Sequence, residues 1–252
     1  VYIICPSSCC GAIVFKNALG VPLDSDEIIV GDTSTLPYAC RITEPGKVNV
    51  YLKLKDGLFV ASLPANKIDI VHGIFSEVYK CEKAKNVLQT SLQNGNPVIH
   101  PTVTLLNAGL IESTDGDFKF YEDGVTPGVG RLMKSVDEER VMVAAKLGIE
   151  IILDAELGVK QGYMQSSDYE TGYRTAEWFK GIKAQNQLDH RYINEDVGFG
   201  LVFISELAKK LEVQTPVIDA VILVASNVMN RDYRKEKENI IDDLGIVEYL
   251  SL

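Results

Sequence analysis

The chain has 252 residues, of which 46% are hydrophobic and 24% are charged, and its formal net charge is −10. This composition is typical of a soluble globular protein with one large domain or two small ones. The acidic balance argues against a nucleic-acid partner, because phosphate binding requires clustered positive charge. No apolar run approaches the roughly 18 residues of a membrane-spanning helix, so no membrane partner is expected.

The first part of the chain predicts strands with one helix among them. Val1–Cys5 is a continuous apolar run, as in a strand buried on both faces of a parallel sheet. Gly11–Leu19 has helical spacing, and Glu27–Val30 is a short strand. Two further strands are predicted at Lys47–Lys55, where apolar residues alternate, and at Leu58–Leu63. This order fits the second half of a doubly wound nucleotide-binding domain.

Beyond about residue 66 the apolar residues recur at helical spacing. Gly109 is predicted to end one of these helices as its C-cap, and Thr-Pro pairs are predicted to begin two others. The predicted helical segments are 68–78, Lys83–Gln93, Pro101–Ala108, Pro127–Met133, Val136–Leu147, Asp196–Leu211 and Pro216–Val228. We therefore predict an α/β portion over residues 1–90, a partial Rossmann-type doubly wound sheet. An all-α helical domain over residues 91–252 follows it.

The five cysteines do not form a recognisable framework. They are Cys5, Cys9, Cys10, Cys40 and Cys81, an odd number with irregular spacing. The first three lack the paired C-x2-C halves of a zinc site and have no nearby histidine, so no metal is predicted. Reduced thiols in a cytoplasmic protein are the favoured interpretation.

One glycine motif is rejected as a dinucleotide fingerprint. Gly128-Val129-Gly130 supplies G-x-G, but Met133 occupies the position of the third glycine and Pro127, not a strand, precedes the motif. These glycines are predicted to serve helix packing.

His100 is the first candidate for chemistry. It lies between Pro97 and Pro101 at the start of a predicted helix, where the positive end of the helix dipole favours a neutral imidazole. Such a histidine can accept a proton, and Asn107, seven residues further on, falls on the same helix face. The alternative is an ordinary structural histidine.

Two other segments carry polar groups suited to anionic substrates. Arg191 has a guanidinium fork that matches a carboxylate, and Asp196 follows it closely enough to orient a histidine. The alternative is a salt-bridged helix entry with Asp196 as its N-cap. Thr33 begins a hydroxyl-rich loop past the second strand, where ligands lie in doubly wound sheets, although it also fits simple turn chemistry.

Several segments together resemble the opine dehydrogenase family, which includes the octopine and nopaline dehydrogenases. The resemblance runs from near Val1 to about Asn230 and keeps the family order. The segments are Thr35-Leu36-Pro37-Tyr38-Ala39-Cys40-Arg41, Asn96 to Pro101, Leu106 to Gly109, Phe120 to Pro127, Asp137 to Arg140 and Arg191 to Asp196.

The resemblance implies an NAD- or NADP-dependent oxidoreductase that joins an α-keto acid to an amino acid and reduces the imine. It also implies a Rossmann domain followed by a helical domain of the 6-phosphogluconate dehydrogenase C-terminal-like kind, with the site between them. By this resemblance His100 is the general acid/base, Asp196 fixes its tautomer and Arg191 holds the keto-acid carboxylate. Thr33 and Asn107 are assigned to substrate binding.

The chain departs from the family near its start. The glycine-rich turn is absent, and we expect about 100 residues of cofactor-binding structure before Val1, judged from usual domain sizes. In the Pro6–Gly11 segment, Pro6 and Ser7 are candidate cofactor contacts. Ser8 stands near a glutamine of octopine dehydrogenase and is a candidate keto-acid contact. Asp32 either faces the cation of the amino donor or caps a turn.

Two rival functions remain open at this stage. One is a reductase of the same architecture that converts a 2-keto acid to a 2-hydroxy acid without an amine. The other is a non-catalytic helical dimerisation or ligand-binding module. The expected partners are small molecules. Val1–Cys5 and neighbouring strands would leave apolar surface, which we expect a second copy of the chain or the expected preceding segment to cover.

Overall fold

The computed structural model describes residues 1–251, without the side chain of Arg41. The strands are β1 (Tyr2–Ile4), β2 (Val30–Thr33), β3 (Tyr38–Glu44), β4 (Lys47–Lys53), β5 (Phe59–Leu63) and β6 (Glu82–Lys83). The helices are α1 (Gly11–Leu19), α2 (Ile68–Ser76), α3 (Val87–Leu92), α4 (Asn96–Leu106), α5 (Ala108–Thr114), α6 (Pro127–Lys146), α7 (Asp154–Gln161), α8 (Gly172–Thr175), α9 (Arg191–Asn194), α10 (Val202–Lys210), α11 (Pro216–Val228), α12 (Tyr233–Glu236), α13 (Ile240–Asp243) and α14 (Ile246–Tyr249). Two 3-10 turns (Ala65–Lys67 and Glu177–Phe179) and one π-helix (Asp196–Leu201) complete the described elements.

The N-terminal part is a four-stranded mixed sheet in the order β1-β2-β5-β6. β1 runs parallel to β2 and β6 runs parallel to β5, whereas β5 is antiparallel to β2. The predicted α/β class is therefore confirmed. The sheet is not parallel throughout, because the β3–β4 hairpin between β2 and β5 reverses the chain without a crossover helix.

The first strand corrects one expectation. Tyr2 is 54% exposed, so β1 is not buried on both of its faces. Within the described residues β1 pairs only with β2, so it is an edge strand.

The interior of the sheet is packed tightly. A Cβ on Gly31 would lie 2.4 Å from Val71 Cγ1, so β2 and α2 approach closely because position 31 is glycine.

The second strand lies three residues further along the chain than predicted, at Val30–Thr33 instead of Glu27–Val30. β2 covers Val30–Thr33, where a turn was expected, and the segment 35–41, interpreted as a substrate loop, continues into β3. Both differences arise because these residues pair with strands that lie elsewhere in the sequence. Asp32 and Thr33 pair with β5, and β3 pairs with the alternating strand β4.

The helical part surrounds the long helix α6. Its Glu139 accepts hydrogen bonds from the backbone N–H groups of Val217 and Ile218, each at 2.8 Å. These are the otherwise unpaired groups at the start of α11, so a carboxylate from another helix completes that terminus. The side chain of Thr215, at the predicted N-cap, makes no capping hydrogen bond.

One continuous core joins both parts of the chain, from Cys10 to Tyr249. The C-terminal helices return to the N-terminal part, where Asn17 Nδ2 donates to the carbonyl of Leu244 at 3.4 Å. The division at residue 90 stays a prediction. Among the described residues no helix is long and apolar enough to cross a membrane.

Candidate active site

A buried histidine–aspartate pair lies between two helices of the C-terminal part. His100 Nδ1 is 2.8 Å from Asp196 Oδ2, and only 5% of His100 and 7% of Asp196 are exposed. Because a carboxylate accepts, the imidazole donates from Nδ1, and Nε2 is left as the proton-accepting nitrogen. The imidazole also stacks on Tyr192, with ring centroids 3.7 Å apart. The ring is therefore fixed both in its plane and in its tautomer.

Asp196 reaches His100 through an unusual local structure. The predicted single helix 196–211 begins as the π-helix Asp196–Leu201, and α10 follows it directly. A Cβ on Gly200 would lie 2.6 Å from Pro97 Cγ, so the glycine lets the π-helix pack closely against α4. π-turns inside helices are frequent at functional sites.

The helix around His100 differs from its prediction. α4 begins at Asn96 rather than at Pro101, and Gly109 lies inside α5 instead of ending a helix. His100 is thus the fifth residue of α4, one turn beyond the terminus. The helix dipole, which was expected to favour a neutral imidazole, acts mainly within the first turn. The hydrogen bond between Nδ1 and Asp196 sets the tautomer of His100.

Arg191 lies beside this pair at the start of α9. It is half-exposed, its guanidinium carbon is 5.6 Å from the ring centroid of Tyr192, and Nη1 is 3.7 Å from Glu195 Oε2. The neighbouring His190 caps α9, because its Nδ1 accepts from the backbone N–H of Tyr192. Burial and the positive charge of Arg191 lower the pKa of His190 below its ordinary value. The contacts of Arg191 with Tyr192 and Glu195 are long, so an anionic ligand can replace them.

His100, Arg191 and Tyr192 line a cleft of about 1150 Å³, a volume that includes its opening to solvent. Another wall is aromatic: the Phe179 ring stacks on Tyr121 at 4.2 Å and on Tyr163 at 5.4 Å. The cleft therefore has polar groups on one wall and aromatic rings on another.

Thr33 and Asp32 are buried at the carboxyl end of β2. The Thr33 hydroxyl donates to the carbonyl of Thr35 at 2.9 Å, and Thr35 itself lines the cleft. Asp32 accepts from the hydroxyls of Ser7 and Thr90, both at 2.7 Å, and burial raises its pKa to about 6. The oxygens of Asp32 therefore bind groups inside the fold, and the structure brings neither Asp32 nor the Thr33 side chain into the lining of the cleft.

The remaining predicted contacts also lie outside the described lining. Ser7 is buried and bridges Asp32 to the backbone N–H of Gly11, while Pro6 and Ser8 are exposed. Asn107 ends α4, where its Nδ2 donates to the carbonyls of Val103 at 2.8 Å and Gly124 at 3.0 Å. The amide hydrogens of Asn107 therefore hold the backbone, and its binding role stays a prediction.

One acidic residue of the cleft was missed by the sequence patterns. Asp154, the first residue of α7, lines the cleft and accepts a hydrogen bond from the Tyr173 hydroxyl. Burial and the nearby Asp137 raise its pKa to about 6. No metal site accompanies these acids, since residues 1–251 contain no cluster of three His, Cys, Asp or Glu side chains arranged to hold an ion.

A partial Rossmann-type sheet, a helical part that follows it and a buried histidine–aspartate pair beside a cleft define the architecture of the chain. A family model described as "NAD/NADP octopine/nopaline dehydrogenase, alpha-helical domain" matches residues 83–229. An opine dehydrogenase of Arthrobacter sp. (strain 1C) is 37% identical over 251 residues, which cover 97% of this chain and 67% of that protein. The chain therefore belongs to the octopine/nopaline dehydrogenase family.

Solved structures support the same fold at lower identity. Octopine dehydrogenase with NADH and L-arginine has a TM-score of 0.69 at 19% identity, covering 90% of this chain and 62% of that one. Apo yersinopine dehydrogenase has a TM-score of 0.72 at 16% identity, covering 98% and 71%. The matches with curated relatives span between 57% and 67% of the relatives' length.

Proposed function

We propose that this chain forms the substrate-binding and catalytic part of an opine dehydrogenase that uses NAD or NADP. The reaction is the reductive condensation of an α-keto acid with an amino acid. The observation that carries the proposal is the buried His100–Asp196 pair, whose histidine lines the same cleft as Arg191. Family membership supports it, because the curated relative with 37% identity is named an opine dehydrogenase.

His100 acts as the general acid/base in the proposed reaction. Its Nε2 accepts a proton from the ammonium group of the amino donor, and the neutral nitrogen then attacks the keto carbon. The imidazolium returns the proton to the departing hydroxyl, so that water leaves and a C=N bond forms. Asp196 stabilises the imidazolium while it carries the charge.

Arg191 binds the carboxylate of the keto acid. Its guanidinium is always charged and matches two carboxylate oxygens with two parallel N–H donors. This also orients the carbonyl carbon towards His100, because Arg191 and the stacked His100–Tyr192 pair share the cleft wall. The aromatic side chains of Tyr121, Tyr163 and Phe179 form another wall of the cleft.

A nicotinamide dinucleotide would supply the hydride that reduces the C=N bond. The start of α1 does not form a cradle for its phosphates, since the N–H groups there are already used. Cys10 N–H donates to Ser91 Oγ, and the next two N–H groups donate to Ser7 and Asp32. No step is therefore assigned through the dinucleotide, and the contacts of Pro6 and Ser7 with it stay predictions.

The state and location of the protein complete the proposal. We propose a homodimer, which the exposed apolar side chains of the β3–β4 hairpin support: Ile42 is 79% exposed and Val48 is 56% exposed. We propose a cytoplasmic location because no disulfide joins the five cysteines, all of which lie in the described part of the chain. Sedimentation of the purified protein tests the first point, and fractionation of cells tests the second.

The test of the proposed reaction measures oxidation of NADH and NADPH by the gene product that contains this chain. Panels of keto acids and amino acids are supplied separately and together. The opine reaction predicts oxidation that needs both substrates. Equal oxidation without the amine would instead identify the 2-hydroxy-acid reaction, and no oxidation with any pair would support a non-catalytic module.

A further inference from the structure

The Tyr192 ring lies among the aromatic and cationic groups that surround His100. Its centroid is 3.7 Å from that of the imidazole, and the two planes are inclined by 14°. The Phe120 ring is 5.1 Å away, the His190 ring is 4.6 Å away with its plane at 89°, and the guanidinium carbon of Arg191 is 5.6 Å from the Tyr192 centroid. One ring therefore contacts both the proposed base and the proposed carboxylate-binding cation.

The backbone and the packing of Tyr192 keep this ring in place. Its N–H donates to Nδ1 of His190 at 3.3 Å, the contact that caps α9. Only 8% of Tyr192 is exposed, and the Phe120 ring that packs against it is 1% exposed. The Tyr192 ring cannot turn away from the imidazole without opening this packing, so its plane defines the plane in which the imidazole lies.

A parallel aromatic ring acts differently on the two protonation states of an imidazole. The face of a phenol ring carries partial negative charge and attracts a cation that lies within about 6 Å of its centroid. A neutral imidazole gains only the weaker stacking contact. Asp196 contacts the imidazole at Nδ1, on the ring edge, whereas Tyr192 covers a face. In the proposed reaction His100 carries a proton from the amine to the departing hydroxyl, so the imidazolium is the form that both neighbours stabilise.

The other charged and titratable groups around the imidazole come from three elements. Asp196 belongs to the π-helix, His190 and Arg191 lie at the start of α9, and Asp154 of α7 lines the same cleft. Substitution of Tyr192 removes none of these charges. The contact of Arg191 with the ring is the one that such a substitution changes, and a background without the Arg191 charge separates its effect.

We infer that Tyr192 is a positioning residue, whose ring holds the imidazole of His100 against Asp196 and stabilises the protonated form. The inference rests on the proposed function for the step in which this form is used. Tyr192 acts through His100 rather than on the substrate itself. Because Arg191 is its neighbour in α9, the same short helix places the base and the carboxylate-binding cation relative to each other.

The test compares the pH dependence of kcat/KM in the intact gene product and in its Tyr192→Leu and Tyr192→Phe variants. Leucine removes the aromatic face, so the limb on which His100 loses its proton should move to lower pH by about one unit. A less constrained imidazole should also lower kcat by roughly tenfold. Phenylalanine keeps the face and should retain the wild-type limb. An unmoved limb in Tyr192→Leu, or an equal shift in Tyr192→Phe, would overturn the inference.

The control Tyr51→Leu removes an exposed tyrosine that lines the same cleft. Its limb should stay at the wild-type pH, and a shift equal to that of Tyr192→Leu would count against a specific effect of the stacked ring. Replacement of Tyr192 by pentafluorophenylalanine keeps the packing and removes the negative charge of the face, which covers the case in which Tyr192→Leu does not fold. The limb should again move to lower pH relative to Tyr192→Phe, and coincident limbs would contradict the inference.

An NMR titration needs no turnover and so separates this inference from the proposed reaction. The chain has three histidines, and the Cε1–H signal of His100 is assigned by its loss in His100→Ala. Its titration midpoint should fall by about one pH unit in Tyr192→Leu, and by the same amount when both proteins carry Arg191→Gln. Equal midpoints with and without the ring would overturn the inference. The expected fall without any amine-dependent turnover would support the action of Tyr192 on His100 and remove the proposed reaction.

Discussion

Replacement of Asp32 by asparagine should change the pH dependence of stability in a defined direction. Asp32 is buried, and burial raises its pKa from 3.8 to about 6 despite the hydroxyls of Ser7 and Thr90. The folded protein therefore holds this proton more tightly than the unfolded chain. The resulting stabilisation is fully present below about pH 4 and is lost as the pH rises through about 6. A shift of about two pKa units corresponds to about 3 kcal/mol.

The amide of the Asp32→Asn variant cannot ionise, so the variant avoids this loss. Its free energy of unfolding, relative to wild type, should rise by up to about 3 kcal/mol between about pH 4 and about pH 7. Changes in hydrogen bonding to Ser7 and Thr90 add an offset that does not depend on pH. Urea unfolding at a series of pH values measures the difference, with the exposed Asp24→Asn as control. If the difference in free energy of unfolding between Asp32→Asn and wild type stayed constant or fell as the pH rose, the raised pKa of Asp32 would be refuted.

Three further substitutions test the site and its support. His100→Ala should lower kcat by about 100-fold or more, the scale of general acid–base catalysis. The control His72→Ala, outside the cleft, should keep the wild-type kcat. A wild-type kcat in His100→Ala would contradict the assigned role. Arg191→Lys should raise KM for the keto acid by about tenfold because the bidentate contact is lost, and an unchanged KM would contradict the clamp. Gly130→Ala should cost about 2 kcal/mol in urea unfolding, since its Cβ would lie 2.4 Å from the Tyr169 carbonyl oxygen. The control Gly128→Ala has no contact closer than 3.9 Å; equal stability of the two variants would contradict this packing.

Local patterns predicted the elements whose ends carry strong signals. The helices Gly11–Leu19 and Pro216–Val228 have the predicted bounds, because Gly20 and the Pro216 start mark them in the sequence. Strand β3 was missed because its register depends on pairing with β4. The π-helix at Asp196 also has no local signature, since it depends on the close contact of Gly200 with Pro97.

The candidate site could be predicted only in part. His100 and Asp196 are 96 positions apart, so their contact could not follow from spacing, and the family resemblance supplied it. Asp154 carried no signal, because its position depends on the space left by Gly95 and on the Asp137 carboxylate that accepts from its backbone N–H. Groups that act together in this cleft are assembled by tertiary packing rather than by neighbouring positions.

The most direct test of the central claim follows the hydride into the product. The intact gene product is supplied with a keto acid, an amino acid and reduced nicotinamide dinucleotide deuterated at its transferable position, and the products are analysed by mass spectrometry and NMR. The account predicts a secondary amine that carries deuterium on the former keto carbon, formed at least about 100-fold more slowly by His100→Ala. Deuterium found in a 2-hydroxy acid, with the amino acid unchanged, would contradict it.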